Sequence, residues 1–336
     1  MNIRENVNLS SLTTMRLGGP AKYAIEVESK KDVEDAYAFA AEYHLPVHIL
    51  GGGANSIGRD EGYDGVIILN KIKGVNLEKS SDELILTAGG GEIWDDLSRL
   101  SAEQGYTGIE AMAKIPGTAG AAPVQNIGAY GQEAKDTLVS VEAFDVENSK
   151  WITIPADAMD FAYRKSIFNS SAKGRYFIAE IKLKLKKGEL KGELYRSLQA
   201  YLDEHHIADR LPLTIYNAVS AIRDFKLPDP DVEASSGSFF KNLVLTPDEA
   251  KLAETKGIPI FTMPDGTLQI NTGFLIEQAG LKGKIFHGMR VSDKAALILI
   301  NDSAKSFSDL EAAKSEIQAI VKDKYGYDIT MEPEII

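Results

Sequence analysis

Two glycine-rich segments set the strongest limit on what this chain can fold into. The first, LGGGANSIG over residues 50–58, is entered from an apolar run that reads as a buried strand. Gly51, Gly52 and Gly53 in succession free the backbone to curl, so that several N–H groups can point at one anion. The segment is neither the G-x-G-x-x-G that opens a helix nor the G-x-x-x-x-G-K-[ST] phosphate loop, which argues against a Rossmann dinucleotide fold. The second segment, IPGTAGAAPVQNIGAYGQE over residues 115–133, is more distinctive. Its small residues permit close backbone approach, Gln125 and Asn126 offer amides that can read the polar edge of a ring, and Tyr130 adds an amphipathic face. Alone, either segment reads as a tight turn or an ordinary loop. Together they suit the two walls of a crevice for an extended dinucleotide.

The pattern around them is mixed. Residues 24–27 read as a strand, 30–43 as an amphipathic helix, and 47–50 and 66–69 as strands, a β-α-β-β start. After residue 71 come longer strands at 83–88, 139–145 and 176–185 and a helix near 93–104, so a second lobe richer in sheet begins there. The charge alternation of IKLKLKKGELKGEL fits a strand with a solvated face running into an exposed connection. A third section opens near residue 211 with a helix at 214–225, the Pro-rich KLPDPD segment, helices near 246–256 and 272–280, a strand at 296–300 and a long helix at 306–325. The terminal DITMEPEII alternates like a strand and is expected to return to an existing sheet.

Composition narrows the chemistry. In 336 residues, 37 Lys and Arg stand against 49 Asp and Glu, a net charge of −12, which is too acidic for a nucleic-acid clamp. A nucleotide ligand therefore needs a local cluster of Lys and Arg. The absence of cysteine excludes disulfides, thiolate nucleophiles, iron–sulfur clusters and Cys-ligated zinc. Adjacent His205 and His206 lack the i, i+4 spacing of a helical zinc pair, so no metal site is expected. MNIRENVNLS lacks the basic start and apolar core of a signal peptide, and the strongly apolar stretch 295–300 is too short to span a bilayer. A cytoplasmic protein without a membrane partner is expected.

Read in order, TTMRLGGPA, LGGGANSI, IPGTAGAAPVQNIGAYG, YRKSIF, KLPDP, GSFFKN, LILIN and the terminal EPE resemble the UDP-N-acetylenolpyruvoylglucosamine reductases over nearly the whole chain, least distinctively at 243–285. The resemblance implies an α+β protein made of a two-lobed FAD-binding module of the vanillyl-alcohol-oxidase/PCMH type plus a smaller α+β substrate-binding domain. Lobe 1 would take residues 1–70, completed by a C-terminal strand at 326–336; lobe 2 would take 71–210 and the substrate-binding domain 211–325. A noncovalent FAD would lie between the lobes on Gly51, Gly52, Gly53, Ala54, Asn55, Ser56, Pro116, Gly117, Thr118, Ala119, Gln125, Asn126 and Gly128. No histidine occurs between His48 and His205 and no cysteine anywhere, so these loops offer neither common residue for a covalent flavin tether.

The implied reaction belongs to peptidoglycan precursor synthesis, and through it to cell-wall biogenesis, cell shape and division. NADPH would pass hydride to FAD, and the reduced flavin would pass it to C3 of the enolpyruvyl ether of UDP-N-acetylglucosamine enolpyruvate, giving UDP-N-acetylmuramate. Hydride addition leaves an enolate-like dianion for the protein to stabilise. The match to YRKSIF makes Arg164 the fixed cation, and the match to EPE makes Glu334 a second donor if an environment that raises its pKa keeps it protonated. Ser238 of GSFFKN would deliver the proton to C2. Tyr130, Tyr163, Tyr195, Arg223, Lys226 and Asn242 are implied for the UDP-sugar. Tyr195 lies where one branch of the family carries a loop whose tyrosine covers the substrate; its plainer reading is packing on the following helix. Arg223 and Lys226, three apart on one helix, supply the local positive charge.

Three departures from the family pattern stand out. Ala54 replaces a frequent Ser, Ile336 falls where some relatives have Arg, and Glu334 lies two residues from the end of this sequence, so its placement is expected to depend on pairing of the final strand. Glu332 shares its side by strand periodicity. Taken individually, Arg164 reads as a surface ion pair, Ser238 as a turn or an N-cap, and Glu334 as a solvated end. Two rival readings are an FAD-dependent sugar or alcohol oxidase of related fold and a nonenzymatic nucleotide-binding module. The expected partner is a small molecule and the expected state a monomer.

Overall fold

Along Tyr176–Lys187 apolar and charged residues alternate, and the strand they form is the spine of the largest sheet. Ile181, Leu183 and Leu185 are fully buried while Lys184 and Lys186 face solvent, as a period of two requires, and a register shift opposite Glu142 and Ala143 turns Phe177 and Ala179 to the other face. The computed structural model describes residues 1–230, 232–263 and 266–336; Asp231, the last residue of KLPDPD, lies outside the described residues. The spine pairs antiparallel with Leu138–Asp145 on one side and Glu83–Gly89 on the other, with Lys150–Pro155 and Val75–Lys79 outside them. The described residues form seven α-helices: α1 (Lys30–Glu42), α2 (Trp94–Glu103), α3 (Arg196–Glu204), α4 (Pro212–Lys226), α5 (Pro247–Thr255), α6 (Thr272–Gln278) and α7 (Phe307–Tyr325). Among the described residues no helix is long and apolar enough to cross a membrane.

Contacts divide the chain into two units, the first Met1–Val7, Ala21–Gly52 and Asp64–Arg223, the second Asn8–Pro20, Gly53–Tyr63 and Asp224–Ile336. In the first, a four-stranded sheet ordered Asn2–Asn8, Pro20–Val27, Tyr63–Asn70 and Val47–Leu50 carries α1. Its core of Ile25, Val27, Val33, Val66 and Ile68 closes on Phe144, Phe177 and Ala179 of the large sheet. The other face of the large sheet buries Leu84, Leu86, Ile181 and Leu183 against Trp94 and Leu97 of α2. A third cluster joins α3 and α4 through Leu198, Leu202, Ile215, Tyr216 and Val219.

In the second unit Ala234–Ser238, Ile298–Asn301, Met289–Val291 and Ile285–Phe286 form an antiparallel sheet in that order. A smaller sheet orders Leu243–Leu245, Leu268–Ile270 and Phe261–Thr262. Ser306 caps α7 by accepting from Asp309 N–H, the Asp309 carboxylate returns the bond, and Gly326 at φ +81° ends the helix. The 306–325 expectation thus differs only in that Ser306 is the cap. Segments 8–20 and 53–63, early in sequence, join this unit because Met15, Leu17 and Ile57 bury with Phe239, Phe240, Leu310 and Ile317. Helix α4, read from sequence as the head of the third section, packs into the first unit up to Arg223 because its apolar face meets α3.

The alternation at 328–336 becomes a much shorter strand. Only Glu334–Ile335 pair in a ladder, parallel to Ser56–Ile57, while Met331 makes an isolated antiparallel bridge to Phe240. Pro333, which has no N–H to donate, stands where the segment passes from one partner to the other.

At one end of the large sheet Arg175 grips the buried Asp145 through Nε at 3.2 Å and Nη2 at 2.9 Å, and Asn148 Nδ2 donates to the same carboxylate at 2.8 Å. The hydrogen bonds from Arg175 hold the Asp145 carboxyl well below the usual carboxylate range, against the opposing effect of burial. A depressed native pKa stabilises the fold above the unfolded value of 3.8 and loses that contribution as pH falls below it. Denaturant unfolding of Asp145→Asn should therefore show a deficit against the parent at pH 7 that shrinks as the pH drops below about 4. A deficit independent of pH would contradict this assignment.

Candidate active site

Gly51 and Gly52 follow the strand Val47–Leu50 and touch the second glycine-rich segment within the first unit. A Cβ at Gly51 would stand 2.6 Å from Thr118 Oγ1, and one at Gly52 would stand 3.0 Å from Gly117 Cα. Only glycine permits this approach. The second segment is pinned from behind: Trp94 N–H donates to Gly117 O at 3.1 Å, Ala119 N–H to Glu92 O at 2.8 Å and Gly120 N–H to Gly90 O at 2.8 Å. Gly90 itself lies against Asn70, whose Nδ2 donates to Ile178 O at 2.8 Å, and a Cβ at Gly90 would stand 2.5 Å from that nitrogen. Gly89, Gly90 and Gly91 are thus a third glycine run that the sequence reading passed over, although a triplet closing a predicted strand was visible there. The hydroxyl of Thr118 is buried and has no hydrogen-bond partner among the described residues. The other half of the first segment belongs to the second unit, where Thr14 N–H donates to Gly53 O at 3.1 Å and Glu334 N–H to Asn55 O at 2.9 Å.

The Asn126 side chain is fully buried and does structural work. Its Nδ2 donates to Ala162 O at 3.2 Å and its Oδ1 accepts from Lys135 N–H at 3.0 Å, so the amide read from sequence as a ring reader ties two backbone segments. Those bonds help place Arg164. Ala162 and Lys165 exchange backbone hydrogen bonds of 3.0 and 3.1 Å, leaving Tyr163 and Arg164 at the tip of a tight turn. Arg164 sits at φ +52°, its carbonyl accepts from Asn169 Nδ2 at 3.1 Å, and its Nη2 donates to Gly128 O at 3.2 Å. Its guanidinium lies 5.2 Å from the Tyr163 ring centroid. Next to Gly128, Tyr130 at φ +49° meets Tyr195 edge-on at 5.6 Å, so Tyr195 contacts a substrate candidate in addition to heading α3. Burial pushes the Tyr130 hydroxyl up, with the positive charge of Arg223 opposing. Arg223 Nη2 donates to Lys114 O at 3.2 Å. The first unit therefore gathers Gly128, Tyr130, Tyr163, Arg164, Tyr195 and Arg223. Asn126, Tyr130 and Arg164 all hold the left-handed backbone that non-glycine residues avoid, strain of the kind that clusters at functional sites.

In the second unit a β-bulge separates Ser235 from Ser238, and Gly237 at φ +70° supplies the turn. Phe239 and Phe240, buried and edge-on at 5.0 Å, anchor the residues that follow. The GSFFKN segment runs antiparallel to the terminal segment: Glu332 N–H donates to Phe239 O and Lys241 N–H to Thr330 O, both at 2.8 Å. Ser238 and Glu334 thus lie on neighbouring segments of one unit, whereas Arg164 belongs to the other. Asn242 Oδ1 accepts from Thr272 N–H at the start of α6, at 3.2 Å. Lys226 ends α4, three residues after Arg223 on the same helix, and the division between units falls between the two.

Residues 21–154 match the sequence pattern of an FAD binding domain, and residues 229–336 match the C-terminal domain of UDP-N-acetylenolpyruvoylglucosamine reductase. A UDP-N-acetylenolpyruvoylglucosamine reductase from Ralstonia nicotianae is 37% identical over 330 residues, covering 96% of each chain. The chain belongs to the UDP-N-acetylenolpyruvoylglucosamine reductase family. The crystal structure of the reductase from Thermus caldophilus superposes with a TM-score of 0.68 at 23% identity over 99% of both chains. At 12% identity, 6-hydroxy-D-nicotine oxidase from Arthrobacter nicotinovorans superposes with a TM-score of 0.55 over 99% of this chain and 88% of its own, a likeness of fold alone. The fold is accordingly the two-lobed flavin-binding type with a smaller α+β C-terminal domain.

The residues present fit a bound FAD. Gly51 and Gly52 lie so close to Gly117 and Thr118 that a Cβ on either would close the approach, Gly117 holds φ +119°, and the buried Thr118 hydroxyl beside them offers a hydrogen bond that none of the described residues takes up. Gly52→Val should drive the two loops apart and lower FAD affinity at least about tenfold, read by flavin retention on gel filtration, while the circular dichroism spectrum is kept. Thr118→Val removes only the hydroxyl. It should weaken FAD about tenfold and leave the flavin-free protein as stable as before or more so, since an unpartnered buried hydroxyl costs about 1–3 kcal/mol. Undiminished FAD binding by both variants would place the flavin elsewhere.

Proposed function

We propose that this chain is an NADPH-dependent flavoenzyme that reduces UDP-N-acetylglucosamine enolpyruvate to UDP-N-acetylmuramate in cytoplasmic peptidoglycan precursor synthesis. The observation that carries the reading is the pairing of GSFFKN with the terminal segment, which sets Ser238 and Glu334 on neighbouring segments of one unit in a chain that also has an FAD-binding domain. Bound FAD supplies two-electron transfer from the nicotinamide to the enolpyruvyl carbon C3. Ser238, turned by the bulge and held by the Phe239 and Phe240 anchors, delivers its hydroxyl proton to C2, where the acceptor is a strongly basic carbanion equivalent.

Arg164 and Glu334 hold the carboxylate oxygens over which the negative charge spreads. The turn at 162–165 and the Asn169 side chain fix the Arg164 backbone, so its planar fork arrives with little orientation left to lose. Arg223 and Lys226 offset, for an anionic diphosphate, the repulsion of a protein carrying 12 net negative charges. Tyr195, edge-on to Tyr130, covers the sugar nucleotide, with Tyr163 and Asn242 as further contacts. The oxidase reading is the weaker one, since sugar-driven flavin reduction and oxygen-driven reoxidation would leave Ser238 without a proton-donating role.

Stopped-flow half-reactions test these assignments. Ser238→Ala should keep flavin reduction by NADPH within about twofold and slow reoxidation by the enolpyruvyl substrate by about a thousandfold or more. Equal loss in both halves would remove Ser238 from protonation. Glu334→Gln, and deletion of residues 334–336, should both retain FAD and slow only the second half-reaction; full activity after deletion would exclude Glu334.

A further inference from the structure

Asp95, in the first turn of α2, accepts two hydrogen bonds on one oxygen. Lys114 N–H donates to its Oδ1 at 2.6 Å, and the Tyr216 hydroxyl of α4 donates to the same atom at 3.1 Å. Lys114 is left-handed at φ +57°, a conformation a lysine does not adopt without support, and Asp95 supplies that support. On its other side, the Lys114 carbonyl accepts from Arg223 Nη2 at 3.2 Å, about two helix turns beyond Tyr216 on α4. The ring Asp95, Lys114, Arg223, Tyr216 thus closes through two helices and one peptide segment, all in the first unit. Burial, with the Asp95 charge beside it, pushes the Tyr216 hydroxyl up to about 12, so it remains a donor across the working range.

The position of this ring in the chain gives it a consequence. Lys114 is followed directly by Ile115, Pro116, Gly117 and Thr118, the stretch that touches Gly51 and Gly52. Anything that fixes residues 115–118 fixes the Lys114 peptide, and whatever fixes the peptide fixes the oxygen to which Arg223 is bonded. The charge of Arg223 in turn is felt by the half-buried Tyr130 hydroxyl. We propose that Asp95 is a positioning residue that couples flavin binding to sugar-nucleotide binding through Lys114 and Arg223. The inference rests on the function proposed above and adds a linkage between its two ligands. Linkage is reciprocal: a flavin that orders the loop sharpens the grip of Arg223 on the nucleotide, and a nucleotide held by Arg223 slows release of the flavin by the same route.

The test uses the holoenzyme and UDP-N-acetylglucosamine, a UDP-sugar lacking the enolpyruvyl ether. Flavin release is followed by recovery of flavin fluorescence, with and without a saturating concentration of that ligand. The parent is expected to release flavin about tenfold more slowly with the ligand bound. Asp95→Ala should erase that difference and raise KM for the enolpyruvyl substrate about tenfold, while flavin reduction by NADPH stays within about twofold. Asp95→Asn keeps an acceptor oxygen and should restore the coupling, which a general loss of structure would not permit. Tyr216→Phe removes one hydroxyl without emptying the core and should reduce the coupling about threefold, providing an arm that survives if the alanine variant does not fold. Identical release rates for the parent with and without ligand, or coupling retained in Asp95→Ala, would overturn the proposal while leaving the assigned reaction intact. Failure of the parent to bind the UDP-sugar at all would take down both.

Discussion

The close approach of two backbone segments, Gly51–Gly52 to Gly117–Thr118, is the constraint on which the rest of the first unit depends. A side chain at Gly51 or Gly52 would separate the segments, and the layers behind them are built to hold them together. Gly120 is hydrogen-bonded to Gly90, Gly90 to Ala179 on the spine of the large sheet, and Asn70 fills the angle between them. Most of these contacts are backbone hydrogen bonds, with the side chains of Asn70 and Thr118 fitted among them. The apolar work is done one layer away, where Leu84, Ile181 and Trp94 pack beneath the segments.

A second theme is the use of side chains to hold unfavourable backbone. Lys114, Asn126, Tyr130 and Arg164 all have positive φ without being glycine. Lys114 is held by Asp95 and Arg164 by Asn169, and Asn126 uses its own amide to bind two strands of chain. Such strain costs about 1–3 kcal/mol at each residue and persists only where the surroundings over-determine it. Here those surroundings are the walls of the candidate site, which links the price of the conformation to the aim of the side chains it presents.

Much of this was legible in the residues. The alternation in IKLKLKK and the long helix near the end of the chain were read from the residues, and the structure has both; the capping box at Ser306 and the stop at Gly326 follow from local rules but were not read there. The glycine segments announced close approach but not its partner. Gly89–Gly91 went unread because a triplet at a strand end has many uses, and only its contact with Asn70 and Gly120 reveals this one. Asp95 left no local signal at all, since an acidic residue in the first turn of a helix is expected for electrostatic reasons alone.

Sequence alone determined the elements whose causes lie within a few residues: helices, caps, the alternation of strands, and the chemical kinds of side chain available, including the absence of cysteine and the weight of negative charge. Order along the chain also carried the family resemblance. Tertiary structure decided which distant segments share a core. Met15, Leu17 and Ile57 draw early chain into the C-terminal unit, α4 joins the first unit through its apolar face, and the final segment divides its pairing between Phe240 and the strand Ser56–Ile57. The reason is that burial is non-directional and carries no record of separation along the chain, so which apolar faces meet is settled only when all of them compete for the same interior.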